Sequence, residues 1–200
     1  MPRRTAIAVV AVVATAAVAA LVAAAGGGGT GLVPEAGTGQ VAPVSSSVAV
    51  VPEAERRVLP AFTGRTLDGR EIDLASLRGR PLVLNFWASW CGPCRAEQEG
   101  LELANKALAG RDVRMVGVNI RDDEGAASSY LEEFGVGYPS LFDRPAVLPA
   151  RLGALGPQAP PYTLVVDAKG RVAARVFGAL PGDRPEAQAA LLTDLVERVT

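Results

Sequence analysis

The chain has 200 residues, of which 49% are apolar, and its formal net charge is −1 with acidic and basic residues scattered along the sequence. This length accommodates one domain plus a leader, and this apolar content is enough to bury a substantial core. The scattered charge argues against a nucleic-acid-binding surface and a polybasic membrane patch, so no nucleic-acid partner is expected.

Residues 1–25 have the pattern of an export signal. A short basic start containing Arg3 and Arg4 precedes an uncharged, alanine-rich run from Thr5 to Ala25. Positive charge before an apolar run holds the start of the chain inside and directs the rest of the chain across the membrane. The run is long enough to span a bilayer, yet it is weakly hydrophobic and ends in small residues that suit cleavage. We expect a signal peptide or an N-terminal membrane anchor, and hence an extracytoplasmic protein, anchored or secreted.

Residues 26–57 are rich in Gly, Ser, Pro, Ala and Val without clear periodicity, which is typical of a flexible linker. The folded domain is expected over residues 58–200, and it begins with a small hairpin around the Asp68-Gly69 turn. Further strands are predicted at 81–87, 113–120, 162–166 and 172–176, and helices after the cysteines to 108 and at 124–134, 146–152 and 185–199. This order describes an α/β fold with a central mixed sheet flanked by helices.

The only two cysteines lie in the segment Trp90-Cys91-Gly92-Pro93-Cys94, in a chain without histidine. Two cysteines separated by two residues at the entry to a helix can cycle between dithiol and disulfide. The unpaired N–H groups and positive dipole at a helix start favour a thiolate over a thiol. We therefore expect thiol–disulfide chemistry with Cys91 as the attacking sulfur.

Two other uses of Cys91 and Cys94 are less well supported. A structural zinc site needs four ligands, so with two cysteines and no histidine it would have to be shared between chains. A purely structural disulfide would close a very short loop, where the entropic gain is smallest. A cysteine pair between a strand and a helix favours a redox centre. No metal or organic cofactor is expected beyond the Cys91–Cys94 disulfide itself.

The chain resembles the TlpA/ResA branch of the thioredoxin-like thiol–disulfide oxidoreductases over roughly residues 58–200. The segments that carry the resemblance are 81–97, 116–119, 138–139, 161–167 and 170–172. The resemblance implies a thioredoxin-like three-layer fold in an exported, often membrane-tethered protein. It also implies that the substrates are exported proteins with cysteine pairs, including apocytochrome c or copper-site cysteines. Because the compartment is oxidising, a reducing role requires an electron donor such as a membrane dithiol carrier.

The resemblance further implies that Cys91 attacks a substrate disulfide and that Cys94 resolves the mixed disulfide. Cys91 is expected at the exposed helix edge, and Cys94 inside the first turn. Pro93 fits that turn because its missing N–H would have had no helical partner. Trp90, Gly92 and Pro93 are expected to contact substrate.

Two polar positions near the cysteines differ from cytoplasmic thioredoxins. Asn85 stands where those proteins carry a buried Asp, so this chain lacks that acid. Glu97, three residues after Cys94 on the same helix face, matches an active-site Glu of ResA-like proteins. We expect Glu97 to accept the proton of Cys94. A solvated helix glutamate is the alternative interpretation.

Pro161 matches the cis-proline that faces the cysteine pair in this fold, and its loop is expected to shape the substrate groove. The residue before it normally exchanges backbone hydrogen bonds with an extended substrate segment. Here that residue is Pro160, which has no N–H, so one of those bonds must be missing. Both prolines are therefore predicted substrate-binding residues.

Two other functions remain open. A thiol peroxidase would use a single peroxide-activated cysteine with a nearby Arg, and a redox-inactive binding module could use the same fold. The Cys-Gly-Pro-Cys pair suits disulfide exchange better than either. The direction of electron flow depends on how strongly the thiolate is stabilised, which the Gly-Pro dipeptide does not determine.

Overall fold

The computed structural model describes residues 47–156 and 158–199. The predicted signal or anchor, residues 1–25, lies outside the described residues, as does the predicted linker before Ser47. Within the described ranges, no helix combines the length and the apolar character that crossing a membrane requires.

The described chain forms a mixed β-sheet flanked by helices, which confirms the predicted α/β class. The strands are β1 Ser47–Val50, β2 Thr63–Arg65, β3 Glu71–Asp73, β4 Leu82–Trp87, β5 Arg114–Ile120, β6 Ser140–Asp143, β7 Tyr162–Val166 and β8 Val172–Phe177. The helices are α1 Gly92–Ala109, α2 Glu124–Phe134, α3 Val147–Leu152 and α4 Pro185–Glu197. The main sheet has the order β1-β8-β7-β4-β5-β6, and β2 and β3 form the separate predicted hairpin.

Strand β4 lies at the centre of this sheet and leads to the cysteines. It pairs in parallel with β5 and antiparallel with β7, and all six of its residues are buried. Because side chains alternate along a strand, Leu84 and Phe86 pack on one face, while Val83 and Trp87 pack on the face of the cysteines and α1. Asn85 shares the second face, which places a polar group beneath α1.

Helix α1 begins at the cysteine pair and packs closely on α4. Its N-cap is Cys91, and its C-cap is Gly110, the predicted stop signal. A Cβ atom on Gly100 would lie only 2.5 Å from Gln188 Oε1 and 2.7 Å from Gln188 Cβ. A glycine at this position therefore allows the two helices to approach each other closely.

Two strands of the main sheet have no counterpart among the predicted elements. Strand β1 pairs antiparallel with β8, so the predicted linker boundary at Arg57 is wrong and the ordered sheet extends at least to Ser47. The β-branched residues of β1 suit an edge strand, but four residues give too short a pattern to distinguish from a linker. Strand β6 pairs in parallel with β5 and is also only four residues long.

Candidate active site

The two cysteines form a disulfide between the end of β4 and the first turn of α1. Their Cα atoms are 5.3 Å apart, and the backbone N–H of Cys94 donates to Cys91 Sγ at 3.2 Å. The expectation that Cys91 is exposed is wrong in this disulfide form, because the residue is only 4% exposed and Cys94 1%. The Cys91 sulfur is bonded to that of Cys94, and both residues pack against Trp87.

Three of the five residues predicted to contact substrate lie next to the cysteines in sequence and at the surface. Trp90 is 59% exposed, and Gly92 and Pro93 are exposed as well. The indole N–H of Trp90 donates to the carbonyl of Arg121 at 3.0 Å, which holds the ring beside the cysteines. Trp87, by contrast, is buried, and the centroid of its ring lies 4.5 Å from that of the Tyr130 ring. An approaching substrate would therefore meet Trp90, whereas Trp87 supports the disulfide from below.

Glu97 is completely buried one helical turn after Cys94, so the interpretation of a solvated helix glutamate is wrong. Asn85 Nδ2 donates to Glu97 Oε1 at 3.0 Å, and the backbone N–H of Leu180 donates to Glu97 Oε2 at 2.7 Å. Asn85 Nδ2 also donates to Thr163 Oγ1 at 3.1 Å. Residues of α1, β4, β7 and the segment after β8 thus meet in one buried polar cluster.

Burial controls the protonation of Glu97. Removal from water raises the pKa of Glu97 from about 4.5 to about 7, although the Leu180 and Asn85 donors oppose the shift by stabilising the carboxylate. A carboxyl group with a pKa near 7 is populated in both protonation states at neutral pH. It can therefore accept a proton and release it again.

Asn85 suits both protonation states of Glu97. With its nitrogen towards Glu97 it donates to the carboxylate, while its Oδ1 has no hydrogen-bond partner in the described structure. Turning the amide over would present Oδ1 as an acceptor to a protonated Glu97 and to the Thr163 hydroxyl. An aspartate at position 85 lacks the donor that a carboxylate requires. The asparagine thus pairs with a carboxyl on the neighbouring helix, at the position where cytoplasmic thioredoxins carry an acid.

The proline loop lies at the same end of the sheet as the cysteines. The Pro160–Pro161 peptide bond is cis, as predicted for Pro161. Tyr162 follows at the start of β7 and pairs with Phe86 near the end of β4. Pro160 is half-buried and offers no N–H along this edge. The substrate-binding roles of both prolines remain predictions.

Asp122 is a site residue that sequence reasoning missed. Its carboxylate accepts from the backbone N–H of Ser89 at 2.5 Å, the Ser89 hydroxyl at 2.8 Å, Asn119 Nδ2 at 2.8 Å and the Asp123 N–H at 2.9 Å. Burial raises the pKa of Asp122, but these four donors outweigh burial and lower it overall. Asp122 therefore remains an anion that fixes the loop before Trp90 and Cys91. In sequence it is the first of three consecutive acids at the start of α2, and only the fold distinguishes it.

The site offers no arrangement for a resident metal. Within residues 47–156 and 158–199, no group of three or more Cys, Asp or Glu side chains is placed to hold a metal ion.

Known proteins are similar to this chain in sequence and in fold. The chain is 40% identical over 126 residues to the thiol:disulfide interchange protein DsbE of Yersinia pestis, covering 61% of this chain and 63% of that protein. It is 28% identical over 121 residues to the thiol-disulfide oxidoreductase ResA of Bacillus subtilis, covering 60% and 66%. The chain thus spans less than two thirds of the length of these two curated relatives.

Solved structures extend the similarity to most of the domain. A DsbF homologue from Corynebacterium diphtheriae superimposes with a TM-score of 0.67 at 29% identity, covering 78% of this chain and 95% of that one. A secreted Mycobacterium tuberculosis disulfide oxidoreductase gives 0.57 at 31% identity, covering 68% and 95%. The Redoxin family model matches residues 53–191. Since that match exceeds half of the sequence, the chain belongs to the Redoxin family, and its predicted thioredoxin-like, TlpA/ResA-type character is confirmed.

Proposed function

We propose that this protein is an extracytoplasmic thiol–disulfide oxidoreductase that reduces or exchanges disulfides in exported proteins. The observation that carries the proposal is a Cys91–Cys94 disulfide at a helix start, with the buried carboxyl group of Glu97 one turn further along the same helix. The helix start favours a thiolate at Cys91, since its sulfur already accepts a backbone N–H. The relatives named thiol:disulfide interchange proteins support the same chemistry.

The reaction starts from the dithiol form. The Cys91 thiolate attacks one sulfur of the substrate disulfide, so a mixed disulfide forms and the other substrate sulfur leaves as a thiolate. Cys94 then transfers its proton to Glu97 and attacks the Cys91 sulfur, which releases the second substrate thiolate and forms the Cys91–Cys94 disulfide. Two electrons pass to the substrate, and two protons, one carried by Glu97 and one from solvent, complete its thiols.

The partners in this proposal are exported proteins with cysteine pairs, with apocytochromes c among the class that the resemblance implies. Continued reduction requires a membrane dithiol donor that returns two electrons to Cys91–Cys94. The basic, apolar N-terminal segment would hold the domain near such a donor if it is retained as an anchor. The secreted Mycobacterium tuberculosis relative supports an extracytoplasmic location.

Insulin reduction driven by dithiothreitol tests the activity. The purified protein should accelerate insulin precipitation, and the Cys91→Ser variant should do no better than dithiothreitol alone. Consumption of hydrogen peroxide without insulin reduction would replace the proposal with a thiol peroxidase, and neither activity would indicate a binding module. A redox titration with alkylation as readout then determines whether the pair donates or accepts electrons in its compartment.

A further inference from the structure

Arg121 is fixed beside the disulfide by its backbone. Its φ is 52°, a left-handed conformation that non-glycine residues rarely adopt. Its carbonyl accepts from the Trp90 indole at 3.0 Å, and its N–H donates to the Arg144 carbonyl at 3.2 Å. The next residue, Asp122, holds Ser89 through two hydrogen bonds. The backbone of Arg121 is therefore tied to the loop that carries Cys91.

The side chain of Arg121 reaches the loop on the other side of the site. Its Nη1 donates to the carbonyl of Gln158 at 3.2 Å, three residues before the cis-proline. Arg121 and Gln158 also line a surface cleft of about 330 Å³, whose other lining residues are Ala146, Pro149, Ala150 and Gly153. The guanidinium is thus a charged group at an open, partly polar cleft, between the loop that carries Trp90 and Cys91 and the proline loop.

Most of the N–H donors of the Arg121 guanidinium remain available to a ligand. An arginine carries five N–H donors, and one of them is used at Gln158. None of the ion pairs within residues 47–156 and 158–199 involves Arg121, and the side chain is exposed. A planar guanidinium matches a carboxylate through two parallel hydrogen bonds. A substrate segment laid along the proline loop would bring its side chains past this group.

We propose that Arg121 and its cleft form a subsite for an acidic side chain of the substrate, close in sequence to the target cysteine. The inference rests on the proposed function, because it states which disulfide substrates the site prefers. The carboxylate binds the Arg121 guanidinium, and the open cleft beside it receives the rest of the acidic side chain. Disulfides with a neighbouring Asp or Glu are accordingly reduced faster than their amide counterparts.

The experiment uses peptides with one cysteine linked as a mixed disulfide to 2-mercaptoethanol, acetylated and amidated so that the side chain supplies the only negative charge. Pairs carry Asp or Asn at one of the three positions on either side of the cysteine. The rate at which each peptide oxidises the reduced protein is measured by alkylation of the remaining thiols. At one or two positions Asp should raise the rate about fivefold, the upper range for an exposed ion pair, and salt should reduce this ratio.

Three variants locate the effect. Arg121→Gln should bring the Asp/Asn ratio to one, and Arg121→Lys should give an intermediate ratio because it retains charge without the bidentate geometry. Arg114→Gln is the matched control, since it removes the same charge from an exposed residue at the opposite end of β5. An equal loss of the ratio in Arg114→Gln would overturn the subsite, because the preference would then be long-range attraction.

The test separates failure of the subsite from failure of the proposed function. Bis(2-hydroxyethyl) disulfide is a neutral substrate without a carboxylate. Its reaction therefore measures disulfide exchange that does not depend on the Arg121 cleft. If the reduced wild-type protein reacts with this compound and with all peptides at equal Asp and Asn rates, the subsite is overturned and the exchange activity stands. If it reacts with none of them faster than an unstructured dithiol does, the oxidoreductase proposal itself fails.

Discussion

Two buried carboxylates lie on either side of the active-site segment, and their surroundings are opposite. Asp122 accepts four hydrogen bonds, two on each oxygen, whereas Glu97 accepts two, one on each. Burial raises the pKa of both groups, but the four donors lower that of Asp122 overall, while that of Glu97 remains at about 7. Glu97 is the more deeply buried of the two and has fewer donors, so depth of burial and the number of donors together decide whether a carboxylate stays an anion or has a pKa near neutrality.

Removal of the Asp122 carboxylate should have the strongest effect on the fold. Asp122→Ala should lower the free energy of unfolding by about 3 kcal/mol or more, because donors of Ser89, Asn119 and Asp123 lose their acceptor in a largely buried place. Exchange should slow as well, since the loop before Cys91 loses its anchor. Urea unfolding at pH 7 with the disulfide intact measures the first effect.

Asp123→Ala is the matched control for the Asp122 variant. Asp123 is the neighbouring acid, and its side chain caps α2 by accepting from Gly125 and Ala126. Loss of such a cap costs about 1 kcal/mol. If Asp122→Ala destabilised the protein no more than Asp123→Ala does, Asp122 would be an ordinary surface acid and the contrast with Glu97 would disappear.

The raised pKa of Glu97 should make the free energy of unfolding depend on pH. Since the folded pKa is about 7 and the unfolded value about 4.5, the folded protein keeps a proton that the unfolded chain has already released. The stability linked to this proton is present below pH 4.5 and is lost as the pH rises towards and through 7. The loss amounts to about 3 kcal/mol. Glu97→Gln should abolish this decrease, as measured by urea unfolding between pH 4.5 and 8.

The same substitution should change the chemistry. A glutamine at position 97 can keep its contacts to Leu180 and to a turned Asn85 amide but cannot accept the proton of Cys94. The step near pH 7 in the rate of disulfide reduction should therefore disappear. Glu99→Gln, at an exposed position on the same helix, is the control and should leave both profiles unchanged. An unaltered pH–rate profile in Glu97→Gln would remove Glu97 from the mechanism.

The contrast between the two carboxylates also shows what the sequence could predict. The strand through Trp87 and the helix from the cysteines to residue 108, with Gly110 as its stop signal, follow local patterns, and the structure has both within one residue. The cis bond at Pro161 follows from the family resemblance, and the structure has it as well. The spacing from Cys94 identifies Glu97, although spacing alone leaves its burial open. Its environment depends on Leu180, which is 83 residues away along the chain.

Other features depend on tertiary pairing that no local pattern encodes. Strand β1 forms by pairing with the free edge of β8. Its four residues are too few to show an alternation that would distinguish a strand from a linker. Asp122 is buried because the loop at Ser89 folds over it, 33 residues away in sequence. The predicted exposure of Cys91 is wrong because a helix edge does not reveal how a disulfide packs against Trp87.

A weaker effect is expected in the proline loop, where Pro160 has no backbone N–H to donate to a substrate. Pro160→Ala restores one backbone N–H beside Pro161, and one additional hydrogen bond to an extended substrate is worth about 1 kcal/mol. The Cys94→Ser variant cannot resolve the mixed disulfide between Cys91 and a peptide cysteine. When Pro160→Ala is added to this variant, the amount of trapped mixed disulfide should rise about fivefold. Quantifying trapped complexes by non-reducing electrophoresis measures this change.

Pro52→Ala serves as the control for Pro160→Ala, because it removes an exposed proline beyond the end of β1 that lies away from the cysteines. No gain in trapping with Pro160→Ala, or an equal gain with Pro52→Ala, would show that substrates do not pair with the backbone at residue 160. Binding would then depend on side-chain contacts with Trp90 and Arg121. A gain confined to Pro160→Ala would instead show that the native chain binds extended segments weakly at this edge, which favours release after each exchange.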